Sequence, residues 1–226
     1  MSNIDLPNGR NPGSFNRLTP KTCDLFPGTS LFDEFGEAVC QAGCMPRKEL
    51  FEAWEVAKRV RRKFKNGRVV DLACGHGLLA YAMLVTGGMR GSAVAVDQKL
   101  TSCGRRIASE LEKRWPKLKG NVDHRELEIG NVSLCPDDIV VSVHACGGLT
   151  DEILDKAVAA GCRVAVMPCC HALNRQQKAG YDAWVSGDLA IDIERVVRLR
   201  SRGYKVHMST ISDRITPKNR LIIAEP

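Results

Sequence analysis

The residues best suited to chemistry stand at the ends of short apolar runs. Val69-Val70-Asp71-Leu72-Ala73-Cys74-Gly75-His76-Gly77 places an acid inside an apolar stretch and follows it with a glycine-rich turn. Gly75 and Gly77 let the backbone approach a ligand closely and take positive φ. In dinucleotide enzymes such a turn holds a pyrophosphate at a helix N-terminus, with the pattern G-x-G-x-x-G. Here the pattern is D-x-A-C-G-x-G. An acid at this point suits a ligand carrying a positive sulfonium and an ammonium group, which favours S-adenosylmethionine (SAM) over a nicotinamide dinucleotide. A second run, Ala93-Val94-Ala95-Val96-Asp97, ends in another acid and is followed by Gln98. It lies about twenty residues past the glycine turn, where a carboxylate meets the ribose hydroxyls. A third, His124-Arg125-Glu126-Leu127, offers Glu126 to the exocyclic amine of adenine. Asp71, Ala73, Cys74, Gly75, Gly77, Asp97, Gln98, Glu126 and His144 make up the expected cofactor site. For Asp71 or Asp97 taken singly, the plain alternative is an acid capping the helix turn that follows.

Two further run ends face the acceptor side, because ligands of open α/β sheets sit outside the carboxyl ends of the strands. They are Val143-His144-Ala145-Cys146-Gly147-Gly148-Leu149-Thr150-Asp151 and Met167-Pro168-Cys169-Cys170-His171. Direct displacement on a sulfonium methyl asks mainly for positioning. A hydroxyl or protonated amine acceptor also needs a base, and His144 and His171 are the candidates. A structural, hydrogen-bonded imidazole is the alternative for each. Cys169 after Pro168 is a candidate covalent nucleophile of the kind that attacks a pyrimidine ring. A metal held by Cys169, Cys170 and His171 with help from Cys40 and Cys44 is not expected, because successive strand residues point to opposite faces. Thiols packed as small hydrophobes are the reading preferred.

The HACGGLTD and PCCH segments, with the closing ITPKNRLIIAEP, resemble a family of SAM-dependent methyltransferases. That family includes the domain fused to glutathione-S-transferase-like C-terminal modules in animals, and related bacterial stand-alone proteins. The CGxxTD and CCH elements are also similar to those of the eukaryotic tRNA 2′-O-methyltransferase of the acceptor stem. The resemblance runs from about Lys48 to Pro226. It implies SAM dependence and a Rossmann-like fold and leaves the acceptor open.

The elements that must position these residues follow from the pattern. Residues 1 to about 30 are rich in Asn, Pro, Gly and Ser and read as a flexible N-terminal arm or a loosely packed cover. Residues 31–66 read as a helical extension. Leu50, Trp54, Ala57 and Val60 follow helical spacing, Glu52 and Glu55 fall among the polar positions, and Pro46 breaks the segment in two. From residue 67 to 226, seven short apolar runs alternate with helical segments, which predicts a mostly parallel sheet covered on both faces. The link ISDRITPKN before the last run is too short for a parallel crossover, so the last strand is expected to be antiparallel. This is the α/β, Rossmann-like arrangement of class I methyltransferases.

Composition narrows the setting. No run approaches the roughly 18 apolar residues of a membrane span, and the first residues lack the basic-then-apolar signature of a secretory signal. A cytoplasmic protein with free thiols is therefore expected despite ten cysteines, and no CxxC pair occurs. The net charge of +7 permits contact with RNA. The basic residues concentrate in Arg47–Arg68, Arg105–Lys119 and Arg195–Arg220. Arg61, Arg62 and Lys65, with Arg105 and Arg106, are the expected phosphate contacts. The alternative is solvated faces paired with Glu52, Glu55, Glu110 and Glu112. A small-molecule or protein acceptor, or a non-catalytic RNA- or metal-binding protein on the same fold, remains a competing reading.

Overall fold

The computed structural model describes residues 11–171 and 179–226. Two helices, α1 (Leu31–Ala42) and α2 (Arg47–Lys63), precede an alternation of strands and helices. These are β1 (Val69–Leu72), α3 (Leu78–Thr86), β2 (Ala93–Asp97), α4 (Ser102–Arg114), β3 (Val122–Glu126), β4 (Ile139–Val143), α5 (Leu149–Ala159), β5 (Arg163–Met167), α6 (Gly187–Ser201), β6 (Lys205–Thr210) and β7 (Arg220–Glu225). The seven strands form one sheet in the order β3-β2-β1-β4-β5-β7-β6. Six strands are parallel, and β7 inserts antiparallel between β5 and β6. The short link before β7 enforces this inversion, as expected.

Strand alternation splits the core into two layers. Val69, Ala93, Ala95, Ile139, Val141, Ala165 and Ile223 face α1 to α4, whereas Val70, Leu72, Val94, Val96, Val140, Val164 and Ile222 face α5 and α6. Helix α3 is apolar along nearly its whole surface and buried from Leu78 to Val85. A helix of that kind must be covered on every side, and α2 lies against it. The helical extension is thus part of the same core as the sheet.

The reading of residues 1–30 as a flexible arm is corrected over the part described; residues 1–10 lie outside it. Leu18, Leu25 and Phe26 are buried. A short 3-10 helix spans Pro20–Leu25, and the Leu18 N–H donates to the Met45 carbonyl at 2.8 Å. Three isolated apolar residues anchor this segment without any periodicity. The free-thiol expectation is also corrected, since Cys44 and Cys103 form a disulfide. Helix α1 ends at Ala42, and Gly43 turns the chain at φ 66°, so Cys44 lies beyond the helix and leaves its register with Cys40. The packing of α1 on α4 brings Cys103 to it.

Candidate active site

The carboxyl ends of β1, β2 and β4 surround a cavity of about 460 Å³. The expected cofactor residues Asp71, Ala73, Cys74, Gly75 and Asp97 line it, together with His144 and Cys146. Helix α2 closes one side with Glu49 and Ala53, and Met45 precedes that helix. The backbone is unusual here. Ala73 (φ 55°) and His144 (φ 68°) both adopt the left-handed conformation just past a strand end, a strained state that ordinarily persists where the surroundings fix it. Gly75 (φ 54°) has nothing within 4 Å of the place a Cβ would occupy, so the backbone there is bare to a ligand. At Gly77 a Cβ would stand 2.8 Å from the His124 ring, which makes glycine obligatory.

Asp97 at the end of β2 accepts the Gly75 N–H at 2.8 Å. Its carboxylate and the glycine turn are therefore one unit, as their paired appearance in sequence suggests. Asp71 is nearly solvent-free and accepts the Ala80 N–H at 3.1 Å. It caps α3 and lines the cavity at the same time. Burial first, and the charge of Asp97 in addition, push its carboxyl up to about 8. Gln98 is exposed beyond the strand end. Glu126 lies beside Asp97 in the β2–β3 register, is exposed, and accepts the Leu100 N–H at 2.9 Å.

Of the candidate catalytic residues His144, Cys169 and His171, His144 lines the cavity and the other two do not. Its Nε2 lies 2.7 Å from Oε2 of Glu52, and Lys48 Nζ lies 3.2 Å from Oε1 of the same glutamate. Glu52 is fully buried, which corrects its placement on the polar face of α2. Charge pattern along the helix conceals it, because its burial comes from the β4 loop. His171 is held elsewhere: Nε2 is 2.8 Å from Asp192, and Nδ1 is buried with no hydrogen-bond partner among the described residues. Asp192 also accepts from Arg195 and Arg220. Burial acts to raise the Asp192 carboxyl, but His171 and Arg220 outweigh it and hold it below the usual carboxylate range. Burial and the neighbouring Cys146 push the Cys169 thiol far above the ordinary thiol range.

The cavity's charge decides what it fits. Glu49, Asp71 and Asp97 line it, and no Lys or Arg does among the described residues. A pyrophosphate would find no lysine or arginine to pair with there, whereas a cationic ligand finds acidic groups. Acid-ended parallel strands, a bare glycine turn and an inverted seventh strand together define a Rossmann-like methyltransferase.

A family of methyltransferase domains matches residues 48–177, more than half of the chain, and the protein belongs to it. Its cofactor is SAM. No curated protein sequence matches the chain. Among solved structures it is similar to an O-methyltransferase family protein from Burkholderia thailandensis, with 14% identity and a TM-score of 0.51 over 92% of this chain and 63% of that one. The tRNA methyltransferase TrmK of B. subtilis is 16% identical, with a TM-score of 0.50 over 77% of this chain and 64% of the other. A precorrin-6y C5,15-methyltransferase from Geobacter metallireducens is 15% identical, with a TM-score of 0.50 over 76% and 86%. The chain thus spans less than two thirds of the first two proteins, and at these identities the likeness is one of fold.

Replacing Asp97 tests the cofactor site directly. Asp97→Ala removes the acceptor of the Gly75 N–H and the carboxylate expected from the sequence to meet the ribose. We expect SAM affinity to fall by about 1–3 kcal/mol, with no binding of NAD by either protein. Unchanged SAM affinity by calorimetry would remove Asp97 from the site.

Proposed function

We propose that this SAM-dependent methyltransferase acts on RNA, with His144 as the general base. The observation that carries the acceptor class is a basic groove lined by Lys58, Arg61, Arg62, Lys65 and Arg90, together with Asn66, Thr86 and Gly87, of about 360 Å³ and without an acid in its lining. It lies at the end of α2 remote from Glu49 and Ala53, which reach the cofactor cavity. A helix of this length spans roughly 25 Å, so an acceptor touching both ends must be extended, as a nucleic acid is.

Not every basic residue serves this purpose. Arg61 is buried, donating to the Met83 and Lys65 carbonyls, and holds α2 against α3 instead of facing a phosphate. Within the Arg195–Arg220 stretch, Arg195, Arg198, Lys218 and Arg220 pair with Asp151, Asp155, Asp188 and Asp192. Lys48, Lys58, Arg59 and Lys113 pair with Glu52, Glu55 and Glu110. Arg62, Lys65 and Arg90 of the groove, with Arg105 and Arg106, all exposed, are the phosphate contacts of this reading.

SAM supplies an electrophilic methyl group, and the chain's residues do the rest. Glu52 fixes the His144 ring through Nε2 and would stabilise the imidazolium formed when Nδ1 takes the acceptor's proton. Asp71 and Asp97 meet the cofactor's charge and ribose. The RNA specificity of the eukaryotic enzyme that the CGxxTD and CCH motifs resemble points the same way, as does the tRNA named for the B. subtilis neighbour.

The test is a titration of RNA against the SAM-bound protein over a range of salt concentrations, read beside transfer of labelled methyl from SAM. Binding should be micromolar at low salt and weaken steeply as salt rises, because phosphate contacts release condensed counterions. The pair Arg62→Ala and Lys65→Ala should lower the log–log salt slope by about 1.4, roughly 0.7 per single-strand contact. His144→Ala should abolish transfer while RNA still binds. No RNA binding at low ionic strength would send the acceptor to a small molecule.

A further inference from the structure

Two loops bring three thiols together beside the cavity. Cys146 follows β4, and Cys169 and Cys170 follow β5. Cys146 Sγ is 3.6 Å from Cys169 Sγ, and Cys169 Sγ is 3.7 Å from Cys170 Sγ. All three sulfurs lie within 4.8 Å of one another. The expectation of opposed cysteines does not apply, because β5 ends at Met167 and strand alternation ends with it.

These spacings are informative. With metal–sulfur bonds of about 2.3 Å, sulfurs at two corners of a tetrahedron stand about 3.8 Å apart. The arrangement is also held from behind. The Gly147 N–H donates to the Cys170 carbonyl at 2.8 Å, tying one loop to the other. Arg195 Nη2 donates to the Gly147 carbonyl at 3.1 Å. Arg195 also grips Asp151 in the first loop's helix and Asp192, the partner of His171 next to Cys170. Sites built on such locked supports bind without first paying to order their ligands. Cys146 and Cys170 remain exposed, so an ion can enter.

We propose that Cys146, Cys169 and Cys170 form a three-thiolate site for a thiophilic divalent cation, zinc being the fitting one. Three sulfur ligands satisfy a soft tetrahedral ion and leave a fourth position open. The sulfurs lose their protons as the metal–sulfur bonds form. Since Cys146 also lines the cofactor cavity, a group ligated at the open position would sit at the cavity rim. His171 is outside the sulfur cluster; its link to Asp192 steadies the loop that carries Cys170.

The experiment uses the full chain, reduced and freed of metal, titrated with Zn²⁺ against a chromophoric chelator and separately with Co²⁺. One ion per chain should bind, and the cobalt form should show thiolate charge-transfer absorption with tetrahedral d–d bands. Zinc should protect Cys146, Cys169 and Cys170 from alkylation, located by peptide mapping, and leave the exposed Cys135 reactive. Cys146→Ser and Cys170→Ser should each weaken zinc binding more than about 100-fold, beyond the loss typical of an outer-shell partner. Cys135→Ser should bind as wild type. Circular dichroism checks that the variants fold, and the protection pattern of the unaltered protein stands whatever it shows. Absence of stoichiometric binding, or alkylation of the three cysteines at the metal-free rate in the zinc-loaded protein, would overturn the site.

Discussion

Arg195→Ala should cost about 3–5 kcal/mol of folding stability, as when one partner of a buried ion pair is removed. The Arg195 side chain is 1% exposed and spans three partners. Nε and Nη2 each donate at 3.0 Å to the two oxygens of Asp151, a fork geometry that only arginine offers. Nη1 reaches Asp192 at 3.0 Å, and Nη2 also reaches the Gly147 carbonyl. Alanine would leave the buried Asp192 with less compensation and free the loop after β4. Arg198 makes a useful comparison, because it pairs with Asp151 from a position one third exposed. Arg198→Ala should cost no more than about 1 kcal/mol. Urea denaturation of both variants checks this. Losses of equal size would mean that burial and the fork geometry do not matter here.

This network also gives the CGxxTD and CCH segments a physical reason that their sequence does not reveal. Asp151 receives Arg195, Gly147 bonds to Cys170, and Thr150 donates to the Ala145 carbonyl at 2.6 Å. The two motifs are tied to each other by the Gly147–Cys170 bond, and Arg195 links the first of them to Asp192, which holds His171 of the second. Arg195 itself was legible only as one more base in a cationic stretch, since Asp192 one turn earlier on α6 looks like an ordinary helix pair and the partners Asp151 and Gly147 come from the segment after β4.

The seven strands were legible because each is a short apolar run bounded by turns, and β7's direction because its link is short. The strand order was not, as it depends on which crossovers pack. Asp97 and the glycine turn were legible as a pair because the spacing that reflects their contact is fixed by one helix and one strand. Glu52 and Arg61 were misplaced for a common reason. Both sit among charges on α2, and helical periodicity cannot reveal that the β4 loop and α3 close over them. Cys44 and Cys103 are 59 residues apart, and only the packing of α1 on α4 selects that pair. The three clustered thiols were missed because strand alternation was extended past the end of β5.

The second large effect concerns Asp71 and its sign is the reverse of that for a salt-bridged acid. An unfolded Asp ionises near its ordinary value of 3.8, while in the fold burial pushes Asp71 up to about 8. Between those values the unfolded chain binds fewer protons at this site than the folded one, so stability falls as pH rises. The loss levels off about one pH unit above the folded value, and its upper bound is on the order of 6 kcal/mol for a shift of this size. Asp71→Asn keeps an oxygen for the Ala80 N–H and cannot ionise. Its stability relative to wild type should therefore grow from pH 5 to pH 9, measured by thermal or urea denaturation. Parallel stability curves would show that Asp71 ionises in the fold as easily as in the open chain. SAM binding should respond in the opposite direction. A cationic ligand favours the ionised carboxylate, so wild-type affinity should climb with pH and level off above 8. In Asp71→Asn that climb should vanish and affinity at pH 8 should be lower than wild type. The carboxyl that costs the ligand-free fold stability at high pH is then the one that selects a positively charged cofactor. An identical pH profile of SAM affinity in the two proteins would confine Asp71 to capping α3.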